Sequence, residues 1–256
     1  MNFRPVVLAL LVVLLLAVGG GAAAWAIFLR GDDVAPLSLP SQASAASSDA
    51  ASSGTAAGSG ATTSLPPASA ATLDAASLPG TWSIAADSVV GYRVREKLAS
   101  LSAESDEVGR TSSITGSATI ASSGGSLSVS AAEFTVDMTT IASDRQMRDN
   151  RLRNDGIQTD SFPTSTFKLT DPIAIPASAV GGGQFDATLH GDLSLHGVTK
   201  TVDIPAKAQV NGSLIQVLGT LTFPFSDFGI KAPNIGGFVS VQDQGTLEFQ
   251  VNLAKS

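Results

Sequence analysis

The sequence predicts an all-β domain of about eight antiparallel strands with one short helix, preceded by a membrane-spanning segment. Three observations support this prediction: an uncharged apolar run near the start, a low-complexity stretch after it, and short alternating runs from Gly80 onward. These runs are separated by Gly, Pro, Asn and Asp, which favour turns between strands. Eight strands suit a closed barrel, and closure removes exposed strand edges.

The N-terminal segment, residues 1–31, has the properties of a membrane anchor. Residues 6–29 carry no charge and no polar side chain, and at about 1.5 Å per residue they can cross a hydrocarbon core of roughly 30 Å. Arg4 precedes the run, whereas Asp32 and Asp33 follow it, which favours a cytoplasmic N-terminus. We therefore expect a single-pass protein of the plasma (inner) membrane whose remainder is extracytoplasmic. Secretion after signal-peptide cleavage is the alternative, although secretory apolar regions usually span only about 7–15 residues.

Residues 32–79 have the composition of a disordered linker. Ala, Ser, Gly, Thr and Pro dominate, and the only charged residues are Asp32, Asp33, Asp49 and Asp74. Such a segment cannot bury enough apolar surface to offset the entropy lost on ordering. As a flexible coil it would reach roughly 40 Å. We expect it to keep the domain that follows, residues 80–256, near the bilayer without pinning it there.

Two runs in that domain show a clear period of two. In residues 184–195 and 245–253, apolar side chains alternate with polar ones, as in half-buried strands. Six less regular runs between residues 82 and 223 bring the total to about eight. The apolar parity switches within residues 127–138, which predicts a β-bulge near Ala131 and Ala132. Asn211-Gly212 and His196-Gly197 predict turns between consecutive strands.

One segment interrupts the strand pattern and predicts a helix in a crossover. Ser143 and Gln146 have the spacing of a capping box. Two acid-before-base pairs at i,i+4 follow, which are Asp144 with Arg148 and Asp149 with Arg153. The arginines Arg145, Arg148 and Arg151 are candidates for contacts with an anionic head group. A solvated, salt-bridged helix surface is the alternative interpretation of the same residues.

Composition argues against several classes of function. The chain has no cysteine and a net charge of −7, which excludes thiol chemistry and argues against a nucleic-acid surface. The two histidines, His190 and His196, are roughly 20 Å apart along one strand, too far to share a metal ion. Asp192 and Ser194 are neighbours of His190 on the same polar strand face, and no nucleophile elbow accompanies them. We expect no catalytic residues, no metal and no cofactor.

Four motifs, taken in order, carry a resemblance to a known family. They are Arg-Asp-Asn-Arg-Leu at 148–152, Phe162-Pro163 with Phe167, Gly-Asp-Leu-Ser-Leu-His-Gly-Val-Thr at 191–199, and Ser-Asp-Phe-Gly-Ile at 226–230. Their order resembles that of the YceI-like domains, and the similarity covers about residues 80–256. The resemblance implies an eight-stranded lipocalin-like barrel with a helix at its side or mouth. It also implies a long apolar cavity that holds an isoprenoid chain, such as a polyprenyl lipid or an isoprenoid quinone.

Two positions depart from the pattern of that family. Gly156-Ile157 replace its usual aromatic pair after the helix, and Phe225 replaces a basic residue. Both changes weaken selection for a phosphate head group. The residues expected to line the cavity are Phe185, Leu189, Leu193, Leu195, Leu247, Phe249, Val251 and Phe228.

The sequence therefore predicts a membrane-anchored binding protein for an isoprenoid-type lipid, for transport, storage or sequestration. Its expected partners are that lipid and, through the N-terminal helix, the membrane. The alternative is a structural or protein-interaction barrel of the cell envelope whose interior is packed solid.

Overall fold

The structure, a computed structural model, describes residues 34–40, 73–98, 104–232, 234–235 and 239–256. The predicted span and most of the predicted linker lie outside these residues. Within the described part of the chain, no helix has both the length and the apolar character that a bilayer crossing requires.

Thirteen strands in the described residues form one antiparallel sheet. In chain order they are β1 Gly80–Ile84, β2 Val89–Leu98, β3 Glu104–Thr111, β4 Ile114–Ser123, β5 Ser126–Asp137, β6 Thr164–Leu169, β7 Ile173–Ile175, β8 Phe185–Leu195, β9 Val198–Asn211, β10 Leu214–Pro224, β11 Asn234–Ile235, β12 Val239–Val241 and β13 Gln244–Lys255. The helices are α1 Gln146–Arg151, a π-helical turn Leu152–Gly156, and α2 Ala177–Val180. Short 3-10 turns occur at Ala75–Ser77, Met138–Thr140 and Phe225–Phe228.

The sheet closes into an eight-stranded barrel, as the sequence predicts. The ring runs β1-β4-β5-β6-β8-β9-β10-β13 and closes where β13 pairs with β1. Strand β13 is long enough to pair with β1 near its C-terminal end and with β2 near its N-terminal end. A short break divides each of three barrel strands into two consecutive segments. These segments are β1 and β2, β3 and β4, and β6 and β7. These breaks explain why eight apolar runs in the sequence correspond to more than eight strands.

The predicted bulge is present, and a turn follows each of the two predicted strands, but the β9–β10 turn lies one residue later than predicted, at Gly212-Ser213, because Asn211 pairs with Leu214. The register of β4 with β5 shifts between Thr119, paired with Ala131, and Ile120, paired with Val129. Ser130 is the extra residue, one position before the predicted site. His196 (φ 51°) and Gly197 (φ 74°) both adopt left-handed backbone in the β8–β9 turn, as a type I′ turn requires.

The predicted capping box is wrong. Helix α1 begins at Gln146, and its N-cap residue Arg145 makes no side-chain cap hydrogen bond. Ser143 instead donates from its backbone N–H (2.9 Å) and its hydroxyl (2.7 Å) to Asp149 Oδ1. The Asp144–Arg148 ion pair forms as predicted. The Asp149 carboxylate therefore accepts hydrogen bonds from Ser143, which precedes the helix.

Two groups of buried side chains occupy opposite ends of the barrel. The first surrounds Trp82, whose indole N–H donates to the carbonyl of Leu78 (2.8 Å). The second surrounds Phe228 and includes Met138 and Ile157, near α1. Leu78 is 1% exposed, so the packed part of the domain includes residues before Gly80.

Candidate functional site

The interior of the barrel holds an apolar cavity with two lobes. Lobe 1 lies at the Trp82 end, and lobe 2 lies beside α1. The space free of protein atoms is about 1380 Å³ in lobe 1 and about 1130 Å³ in lobe 2, open solvent included. The walls of both lobes share Val90, Val136, Ser165 and Leu247. The two lobes are therefore neighbours inside the barrel.

Most of the cavity residues expected from the sequence line lobe 1. Six of them do so: Phe185, Leu189, Leu193, Leu247, Phe249 and Val251. The alternation of β8 and β13 places these side chains on the inner face of the barrel. Neighbouring strands contribute further apolar residues, including Ile114, Phe134, Phe167, Ile204 and Val217.

The other two expected residues lie elsewhere. Leu195 lines lobe 2. Phe228 is absent from the walls of both lobes as the structure describes them. It is 1% exposed and packs edge-on against Phe223, with the ring centroids 5.0 Å apart. The prediction that Phe228 lines the cavity is therefore wrong. Its ring packs behind the cavity wall, against Phe223.

Glycines opposite two of the phenylalanines help to keep lobe 1 open. Phe249 pairs across the sheet with Gly219, and Phe134 pairs with Gly116. A Cβ atom at Gly219 would lie 2.4 Å from Phe249 Cζ, closer than any real contact. Each ring therefore lies over the backbone of the neighbouring strand, which leaves the middle of the lobe free.

The wall of lobe 2 carries charged groups at the α1 end. Arg148 lines this lobe and forms ion pairs with Glu107 and Asp144, while its Nε lies 3.9 Å from Glu96 Oε1. The side chains of Arg148 and Glu107 are 14% and 7% exposed. Burial alone would lower the pKa of Arg148, but Glu107, Asp144 and Glu96 outweigh it and raise that pKa. The charge of Arg148 is therefore balanced inside the protein.

The remaining two head-group candidates have different positions. Arg151 lines lobe 2, whereas Arg145 is exposed and pairs with Asp144 at 3.6 Å. Tyr92, which is not among the site residues expected from the sequence, also lines lobe 2. Its hydroxyl is buried and has no hydrogen-bond partner among the described residues. Burial raises the pKa of Tyr92, so the hydroxyl remains protonated and can donate to a ligand.

A period-two signal was available for this part of the wall. Val90, Tyr92, Val94 and Glu96 alternate along β2, and all four line lobe 2. Glu96, a charged residue on this inward face, interrupts the apolar half of the pattern.

Glu96 makes stability depend on pH. Burial is the main cause that raises the pKa of Glu96 above its ordinary value of 4.5, and Glu107 raises it further. The folded protein therefore holds this proton more tightly than the unfolded chain does, and stability falls as pH rises from 4.5 through the raised pKa. We expect Glu96→Gln to stabilise the protein at pH 7 and to have little effect near pH 4, measured by urea unfolding. Glu133→Gln, on an exposed position of β5, is the control; equal effects at both pH values would contradict this assignment.

The two histidines have structural contacts. His190 Nδ1 lies 2.6 Å from Asp203 Oδ1, and this hydrogen bond raises the pKa of His190. His196 Nδ1 donates to the carbonyl of Phe228 (3.0 Å), and its Nε2 contacts the Gln158 side-chain amide (3.1 Å). The described residues contain no group of three His, Asp or Glu that could hold a metal ion.

A family model described as the YceI-like domain matches residues 82–253. The chain belongs to the YceI-like family. The matched region includes every barrel strand except the start of β1 and the end of β13. The resemblance expected from the four sequence motifs is thereby confirmed.

Curated relatives of this YceI-like protein include UPF0312 proteins. One from Shewanella denitrificans is 33% identical over 106 residues, which is 39% of this chain and 52% of that protein. Another from Vibrio parahaemolyticus is 31% identical over 114 residues, which is 42% of this chain and 57% of that protein. The chain thus matches about half the length of these relatives.

One solved structure has a similar fold. It is a polyisoprenoid binding domain from Saccharophagus degradans implicated in plant cell wall breakdown, with a TM-score of 0.50 and 16% identity. The match covers 69% of this chain and 98% of that domain. It supports the YceI-like barrel architecture.

Proposed function

We propose that this protein binds an isoprenoid-type lipid in the two-lobed cavity without changing it chemically. The observation that carries the proposal is the pair of neighbouring apolar lobes inside the barrel. The Saccharophagus degradans domain of similar fold is described as polyisoprenoid binding, which agrees with it. The open interior favours binding over the alternative of a structural barrel that is packed solid.

The shape and chemistry of the cavity suit a long flexible hydrocarbon. Its two lobes follow one another along the barrel, and the wall of lobe 1 is almost entirely apolar side chains. Transfer of a hydrocarbon group from water to such a wall contributes about 0.8 kcal/mol per CH₂. Several isoprene units would therefore supply most of the affinity, with little discrimination between similar tails.

The carboxylates around Arg148 favour a neutral head group. Three carboxylates, those of Glu96, Glu107 and Asp144, surround Arg148, and Phe225 lines the same lobe where the family usually has a cation. A phosphate would add negative charge beside these carboxylates. A quinone carbonyl or a polyprenol hydroxyl could instead hydrogen-bond to the free Tyr92 hydroxyl.

Titration with two ligands of equal tail length tests this choice. We expect a polyprenol to bind at least about tenfold more tightly than the corresponding polyprenyl phosphate, a difference of about 1.4 kcal/mol. Glu96→Gln should reduce the difference in affinity between the two ligands, because it removes one negative charge from the wall. Glu133→Gln, on the outer face, should leave that difference unchanged. Phosphate binding as tight as polyprenol binding would contradict the neutral head group.

We further propose that the protein performs this role at the extracytoplasmic face of the plasma (inner) membrane. The apolar run at residues 6–29 supports this location. Tethering would let the barrel store or carry a lipid taken from the bilayer beside it. The secreted form remains the alternative.

A further inference from the structure

A short segment of the predicted linker lies against the outer wall of the barrel. This segment, residues 34–40, is called the strap below, and it precedes the region that the family model matches. Three of its backbone carbonyls accept hydrogen bonds from barrel side chains: Val34 from Arg93 (3.0 Å), Ala35 from Arg110 (2.8 Å) and Pro40 from Gln209 (3.1 Å). Its apolar residues Val34, Leu37 and Leu39 are half-buried, whereas Ser38 is exposed.

The wall beneath the strap contains an unusual row of buried polar side chains. Glu248, Gln209, Gln216 and Asn252 are 2–5% exposed, although the strand register turns them to the outer face of the barrel. Arg93 and Arg110 both bind Glu248, and Gln209, Gln216 and Asn252 form a chain of amide hydrogen bonds. Polar side chains on the outer face of a barrel are normally exposed to water. Their burial here shows that another part of the protein covers them. The hydrogen bonds from Arg93, Arg110 and Gln209 show that the strap is part of this cover.

The strap has a defined direction along the barrel. Its first residue contacts Arg93, which lies on β2 between two residues of lobe 2, Tyr92 and Val94. Its last residue contacts Gln209, which lies on β9 between two residues of lobe 1, Ala208 and Val210. From Val34 to Pro40 the strap therefore runs from the level of lobe 2 toward the lobe 1 end.

We propose that the strap turns the lobe 2 end of the barrel toward the bilayer. This inference rests on the proposed membrane tether. Only residues 30–33 separate the apolar run from Val34, and at about 3.6 Å per residue they reach less than roughly 20 Å. That is half the roughly 40 Å available to a fully flexible linker.

An exposed side chain at the same end supports this orientation. Met147 on α1 is 79% exposed and is the only large apolar side chain in that state among the described residues. The next residue, Arg148, lines lobe 2, so Met147 lies on the outside of the cavity wall. A lipid surface is the partner that would cover it. A cavity facing the bilayer could exchange its lipid without exposing the tail to water.

Fluorescence quenching on the full chain tests the orientation. The native chain has no cysteine, so Met147→Cys and Ser123→Cys each carry a single fluorophore. Ser123 is exposed at the β4–β5 turn, and β5, whose 12 residues run between the two ends, spans roughly 40 Å. In phosphatidylethanolamine–phosphatidylglycerol proteoliposomes with a head-group quencher, we expect at least threefold stronger quenching at position 147. Equal quenching, or stronger quenching at position 123, would overturn the proposal.

Variants of the strap separate its role from that of the tether. We expect Leu37→Asp with Leu39→Asp to abolish the difference in quenching, because the strap leaves the wall, while lipid binding in detergent persists. Ser38→Asp, at the exposed position between them, should keep the difference. A difference that survives the double substitution would contradict the strap's role. Release of the full chain by alkaline carbonate would contradict the tether itself, a failure distinguishable from loss of orientation in retained protein.

Discussion

Leu193→Trp is expected to weaken isoprenoid binding by more than tenfold while the barrel stays folded. Leu193 is 2% exposed, lines lobe 1, and also packs in the buried group at the lobe 2 end. It therefore lies near the junction of the lobes, where an indole ring would block the path of a chain. Overpacking of this kind costs about 1–3 kcal/mol, which a folded domain can tolerate. Titration with a polyprenol measures the loss.

Thr188→Trp provides the matched control for this substitution. Thr188 lies on the same strand, β8, but is exposed on the outer face. We expect it to leave affinity and stoichiometry unchanged. If Leu193→Trp also folds and binds with unchanged affinity and stoichiometry, Leu193 does not line the binding site.

Arg148→Gln is expected to destabilise the protein by about 3 kcal/mol, at the low end of the range for a broken buried ion pair. The cause is the Glu107 carboxylate, which is 7% exposed and would lose its cation. Urea unfolding measures the change in the free energy of unfolding. Glu107→Gln added to Arg148→Gln should recover most of the loss, because the buried charge is then removed as well.

A surface ion pair directly before the same helix provides the comparison. Arg145 and Asp144 are 42% and 41% exposed, so Arg145→Gln should cost about 0–1 kcal/mol. If Arg148→Gln were as stable as the native protein and lost only phosphate-bearing ligands, Arg148 would be a head-group residue. The neutral-head-group account would then be wrong.

The strands were predictable because their signal is local. Alternation along residues 184–195 fixes which side chains of β8 face inward, whatever strand lies beside it. The start of α1 was not predictable in this way. Ser143 has the correct spacing for a cap, but Asp149 accepts its hydroxyl instead, and this choice depends on how the segment packs.

Prediction of the site residues has the same limit, because their positions also depend on tertiary packing. The sequence identifies Phe228 as an aromatic residue within a motif, but it cannot show on which side of the barrel wall the ring lies. Tyr92 was missed because the charged residue Glu96 shares its face of β2, which leaves the apolar half of the alternation incomplete. The strap was missed because the average composition of residues 32–79 hides Leu37 and Leu39. The hydrogen-bond partners of the strap come from distant strands, β2, β3 and β9.

Native mass spectrometry of the full-length protein, released from mild detergent, tests lipid binding most directly. The proposed function predicts a bound species that organic extraction identifies as a neutral isoprenoid lipid, and that Leu193→Trp lacks. Thr188→Trp should retain it. A protein that carries no such lipid and takes up neither polyprenol nor isoprenoid quinone when these are supplied would contradict the proposal and favour a structural barrel.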